Sequence, residues 1–83
     1  MSIWIFTTDG VGRKYESETI SLEDAQAIVG GYVEIVYPSP KSQMVVNEEG
    51  LLIGLNINEH ATEICGQTIM GNAILLTGES VWG

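Results

Sequence analysis

The residues whose types could do chemistry lie close together. Glu48, Glu49, Glu59, His60 and Glu63 all fall within "VVNEEGLLIGLNINEHATEI", residues 45–64. Glu59 and Glu63 stand four apart, so on a helix they share a face. With His60 beside them they are candidates for holding a divalent metal or moving a proton, the chemistry of a small metal-dependent enzyme. A hydrolytic zinc helix, however, needs two histidines four residues apart with a glutamate between them, and His60 is the only histidine in the chain. The economical reading is local: Glu59 complements the positive end of a helix dipole, and His60 and Glu63 are solvated. Glu48 and Glu49 are neighbours at an expected loop tip, which suits a polar turn better than a carboxylate pair sharing one proton. Were they to meet Glu34 across a neighbouring strand, the three would form an acidic site for a cation or cationic ligand.

Little else resembles a reaction centre. "GVGRK" is a fragment of a phosphate loop, but Lys14 leads into Tyr15 and strand-like sequence, without the spacing of a Walker loop or the helix that must follow it. Ser17, Ser21, Ser39, Ser42 and Ser80 have no assigned base, and Cys65 has no cationic neighbour in sequence to activate its thiol. No catalytic residue, metal or cofactor is assigned, and the expectation is a non-enzymatic protein.

The elements that must position these residues are short. Eighty-three residues make one domain with a small core, and 45% hydrophobic residues are enough to fold it despite a net charge of -8. One cysteine cannot form an internal disulfide, so a reducing, cytoplasmic setting is expected. The start "MSIWIFTTDG" has no basic lead-in, and no apolar run approaches the roughly twenty residues needed to cross a bilayer, so an untargeted protein without a membrane role is expected. Eleven acidic residues face only Arg13, Lys14 and Lys41. That balance disfavours conventional nucleic-acid binding, which depends on neutralising phosphates, and suits solubility, a basic protein partner or imitation of a nucleic acid's phosphates, the last weakened by the dispersal of the acidic residues.

Along the chain, "SIWIFTT" alternates as a strand with two apolar faces, and Asp9-Gly10 turns it into a hairpin whose second strand, "RKYESETI", carries edge-like charges. "SLEDAQAIVGG" is the clearest helix: Ser21 caps it, Glu23 and Asp24 suit its first turn, and Gly30 ends it. Its inward stripe is Leu22, Ala25, Ile28 and Val29. "YVEIVY" resumes strand periodicity until Pro38 and Pro40. "SQMVVNEEGLLIGL" reads as strand, turn and strand, with Gly50 supplying positive φ and Gly54 marking a bulge or a close backbone approach. "NINEHATEICG" is a second short helix capped by Asn58 and ended by Gly66, with Ala61 and Ile64 inward and Cys65 filling a small space. "TIMGNAILLT" is apolar enough for the sheet centre, and Trp82 in the tail is able to fold back. The pattern is a small α+β domain: a mostly antiparallel sheet of about five strands, or a partly closed barrel, with two short helices.

Six aromatic residues exceed what so small a core readily hides. Trp4, Phe6, Tyr15, Tyr32, Tyr37 and Trp82 are therefore candidates for a subunit interface or ligand groove, against the simpler reading that helices and tail cover both faces.

"LEDAQAIVGGYVEIV", then "VVNEEGLLIGLNIN", then the closing "GNAILL" resemble the small domain family catalogued as domain of unknown function 3846, which occurs in bacteriophages and other mobile elements. The resemblance covers about residues 21–77 and is most specific at Gly30-Gly31-Tyr32-Val33-Glu34 and Asn47-Glu48-Glu49-Gly50. Residues 1–20 form a hairpin outside the stronger match, and residues 78–83 form a tail. The resemblance implies a phage or mobile-element origin, hence the host cytoplasm, and brings no activity, substrate or catalytic residue. "TIMGNAILL" is also similar to the second motif of Sm-like RNA-binding proteins, where a glycine-asparagine turn contacts uridine, although Met70 stands where that motif carries a basic residue. The reading favoured is a non-enzymatic binding protein, a small homo-oligomer engaging a host protein or small ligand. An Sm-like nucleic-acid module and a small metal-dependent enzyme are the alternatives.

Overall fold

The computed structural model describes residues 2–83. Five strands, β1 (Ser2–Phe6), β2 (Gly12–Lys14), β3 (Val33–Ser39), β4 (Ser42–Asn47) and β5 (Ala73–Thr77), form one antiparallel sheet in the order β2-β1-β5-β4-β3. The sheet is open, with β2 and β3 as its edges, so the barrel alternative is not realised. The last strand lies at the centre, between β1 and β4, as its apolar sequence suggests.

Two helices explain why the strands are apolar on both sides. Alternate residues of a strand point to opposite faces. Ile3, Ile5, Val45, Ile74 and Leu76 turn to one face, where they pack with Ala25 and Val29 of α1 (Leu22–Val29) and with Ile20. Phe6, Met44, Val46 and Ala73 turn to the other, where they meet Ala61 of α2 (Glu59–Cys65) and Ile69. Each fully buried aliphatic side chain contributes about 1.5–3 kcal/mol of transfer free energy, so the two thin cores together hold the sheet.

Local signals set both helices. The Ser21 hydroxyl accepts from the Asp24 amide, and Gly30 closes α1 in the left-handed conformation. Leu22, expected inside, is largely exposed, because α1 rests on the sheet through Ala25, Ile28 and Val29. Asn58 caps α2 through the Ala61 amide, and Gly66 ends it. Ile64 and Cys65 pack at the border of the second core.

Three expectations fail for identifiable reasons. The second hairpin strand shrinks to Gly12–Lys14: the Tyr15 amide still donates to the Ile3 carbonyl (2.8 Å), but the chain bends away at residues 16–18 as β1 runs out at Ser2. β3 continues through Pro38, which an edge strand tolerates because one side of it needs no donor; the register breaks between Val36 and Ser39. The expected strand at "LLIGL" does not form. Both edges of β4 are occupied, by β5 and β3, so a strand returning beside it has no partner. Residues 48–54 coil in successive turns instead, with the Ile53 amide donating to the Glu49 carbonyl (2.9 Å) and the Leu55 amide to the Gly50 carbonyl (2.9 Å). The glycines of this loop exchange roles accordingly. Gly50 has no positive φ, and an added Cβ would come within 2.9 Å of the Met70 carbonyl oxygen; Gly54 is the left-handed residue, at φ 72°.

The tail folds back. The Trp82 backbone exchanges two hydrogen bonds with the Gln43 side-chain amide, at 2.7 and 2.8 Å, and its indole N–H donates to the Ile20 carbonyl (3.2 Å).

Candidate functional site

The acidic residues separate into three places. Glu59, His60 and Glu63 are exposed along α2, and the His60 ring rests on Phe6 with centroids 4.4 Å apart. Glu34 and Glu48 border a shallow depression of about 130 Å³ together with Gln67, Thr68 and Met70. Glu49 lines a different cleft. Among the described residues no three His, Cys, Asp or Glu side chains converge to hold a metal ion, so the convergence that the metal-dependent alternative requires is not found.

The aromatic candidates divide as well. Phe6 is in the second core, and Tyr15 and Trp82 pack against the first. Trp4 is partly exposed at the margin of the second face, and Tyr32 and Tyr37 stand well out into solvent. Helices and tail thus cover half the set, and the other half is available for contact.

Three asparagines organise this end of the molecule: Asn58, expected as a helix cap, Asn47, expected in a turn, and Asn72, the asparagine of the Sm-like motif. Asn58 is fully buried: its Nδ2 donates to the carbonyls of Phe6 (2.8 Å) and Gly71 (2.9 Å), while its Oδ1 accepts from the Ala61 amide (3.0 Å). Asn47 donates to the Val29 carbonyl at the end of α1 (3.1 Å) and accepts from the Glu49 amide (2.8 Å), tying helix to loop. The Asn72 side chain accepts from the Thr8 amide and donates to the Ile28 carbonyl, both at 3.2 Å. The asparagine of the Sm-like echo is therefore occupied in tying the loop after β1 to α1.

Between the end of α1 and the loop after β4 lies a cleft of about 320 Å³ lined by Gln26, Gly30, Gly31, Tyr32, Asn47, Glu49 and Ile53. Ile53 and Tyr32 supply its apolar lining, and the loop that carries Ile53 exposes two further aliphatic residues, of which Leu51 borders the depression beside Glu34 and Glu48. Leu51 is 76% exposed, Leu52 82%, Ile53 56% and Tyr32 69%. A sequence signal was present, an apolar run enclosed by Gly50 and Gly54, but strand periodicity accounts for the same letters.

Titration adds little chemistry elsewhere. Burial pushes the Cys65 thiol up, away from the reactive thiolate. Asp9 is held below its ordinary value chiefly by the Thr7 hydroxyl and then by the Val11 amide, in an exposed turn.

The open five-stranded antiparallel sheet with a helix on each face defines a small α+β domain. Residues 3–81 match the family described as "Domain of unknown function (DUF3846)", and the chain belongs to that family. The match includes the β1–β2 hairpin as well as the core. No curated protein and no solved structure matches the chain. No helix among the described residues is long and apolar enough to cross a membrane.

Proposed function

We propose that this is a non-enzymatic interaction protein that engages a host protein through the end of the sheet where β4 leaves for α2. The observation that carries this reading is the exposure of three successive aliphatic residues, Leu51, Leu52 and Ile53, in the loop after β4, the last of them lining a cleft with Tyr32. Exposed apolar side chains that cluster in this way mark contact surfaces, whereas single ones do not. A small ligand in the cleft is the lesser form of the same reading. Origin in a phage or other mobile element, with action in the host cytoplasm, rests on the family resemblance. Trp4, at the margin of the second face, offers apolar surface to a second copy, and a strictly monomeric chain in sedimentation equilibrium removes that part of the proposal.

The test compares the wild-type chain with the double variant Leu52→Ser, Ile53→Ser in affinity capture from host extract, with thermal unfolding as a control. The variant is expected to unfold as the wild type does and to lose the captured partner. Identical captured sets from two equally folded chains would overturn the assignment of this surface.

A further inference from the structure

We propose that the cleft between the end of α1 and the Asn47–Ile53 loop receives a lysine or arginine side chain of the partner protein, while the exposed Leu51 and Leu52 of the same loop meet apolar residues of that partner. The inference rests on the interaction role proposed above and specifies what the surface recognises.

Four independent features of the cleft favour a cation. First, it lies at the negative end of the α1 dipole. No basic residue occupies the last turn of α1, and the carbonyls of Gln26 and Val29 are met only by neutral donors, the amides of Gly30 and Gly31 and the side chain of Asn47. Second, Glu49 lines the cleft and supplies a carboxylate that strengthens a hydrogen bond from an ammonium or guanidinium group. Third, Tyr32 lines it with an aromatic ring, whose face attracts a cation. Fourth, the chain's own cations are placed elsewhere. Arg13 and Lys14 lie on β2, at the opposite edge of the sheet from β3, and Lys41 lies in the β3–β4 turn, at the other end of β4 from Asn47.

Size and surroundings narrow the source. A volume of about 320 Å³ is at the small end of ligand sites, suited to one long side chain rather than to a nucleotide-sized cofactor. Long basic side chains also have apolar stems, for which Ile53 is a suitable wall. The exposed Leu51 and Leu52 add apolar area that a free amine would leave unused, so the structure favours a polypeptide carrying the cation. A net charge of -8 attracts a basic partner at long range and opposes docking on an anionic membrane.

The test is amide-resolved NMR titration of the full 15N-labelled chain with three probes: a capped peptide of alternating leucine and arginine, the same peptide with neutral citrulline for arginine, and free agmatine. The expected result is that the arginine peptide shifts Gly30, Gly31, Tyr32, Glu49 and Ile53, and binds about tenfold or more tightly than either other probe. Glu49→Gln and Tyr32→Ala should each weaken it about threefold or more while the fold persists, since both side chains are exposed. Added salt should weaken the arginine peptide and leave the citrulline peptide unchanged. Equal binding of the citrulline peptide at these amides would overturn cation recognition yet leave an apolar interaction surface standing. Equal binding of agmatine would overturn the polypeptide source. Shifts confined to residues outside the cleft, or absent with every probe, would overturn the site, whereas the capture experiment judges the interaction role separately.

Discussion

Two segments of this chain read almost alike, Asn47-Glu48-Glu49 and Asn58-Glu59-His60, and the fold uses them differently. In both, the asparagine is buried and the acids after it are exposed. Asn58 starts a helix whose Ala61 enters the second core, so its aliphatic surface is packed away and only polar side chains such as Glu59 and Glu63 face solvent. Asn47 starts a loop that finds no free strand edge and leaves three aliphatic side chains in solvent. The chemistry of an acidic motif thus follows from what comes after it: a helix consumes its local charges, whereas an unpaired loop leaves them beside apolar surface where a partner can use both.

The comparison breaks first at the asparagines. Asn58→Ala would leave two carbonyls and one amide without their partner in a site closed to water. The expected loss is about 2–4 kcal/mol, from a total on the order of 5–10 kcal/mol for a domain of this size, read as a lowered midpoint in urea. Asn58→Ser retains a capping oxygen and should recover about 1 kcal/mol of that loss, which separates the cap from the two donated bonds. Asn47→Ala removes one donated and one accepted bond nearer to solvent, with an expected cost of about 1–2 kcal/mol. Equal losses at the two positions would show that the segments are structurally equivalent after all.

How much of this was legible in sequence depends on the range of the interaction. α1 and α2 were readable to their caps, because Ser21, Gly30, Asn58 and Gly66 act within a turn of themselves. The central place of β5 was readable from its apolar run. The fate of "LLIGL" was not, since whether a strand forms there depends on β5 arriving from some twenty residues later to occupy β4. The candidate cleft was hidden for the same reason. Its walls come from α1, the approach to β3 and the 48–54 loop, and only Tyr32 and Glu49 among its lining had been singled out by residue type. The triple role of Asn58 was half visible: capping is local, but its bonds to Phe6 and Gly71 span 52 and 13 residues.

Replacement of the exposed aliphatics sharpens the comparison at a smaller scale. Leu52→Ser with Ile53→Ser should shift stability by no more than about 0.5 kcal/mol per site, because surface side chains away from caps and cores contribute little. Ala61→Ser in α2, at a position with no exposed surface, places a hydroxyl among Phe6, Met44 and Ile69 and should cost about 1–3 kcal/mol in the same urea titration. If the loop pair proved the more costly, residues 51–53 would belong to the core and their exposure would not mark a contact surface.

The smallest effect distinguishes the acids themselves. Glu59 lies in the first turn of α2, where its charge complements the helix dipole, so Glu59→Gln should cost about 0.3–1 kcal/mol at low ionic strength and progressively less as salt is added. Glu49 lies within the turns after β4 and has no helix start to stabilise, so Glu49→Gln should leave the urea midpoint unchanged at any salt concentration. Its effect should appear only in binding of a cationic probe. A salt-dependent stability loss at Glu49 matching that at Glu59 would mean that its carboxylate is engaged within the fold, and the cleft would then have no charge left to offer a partner.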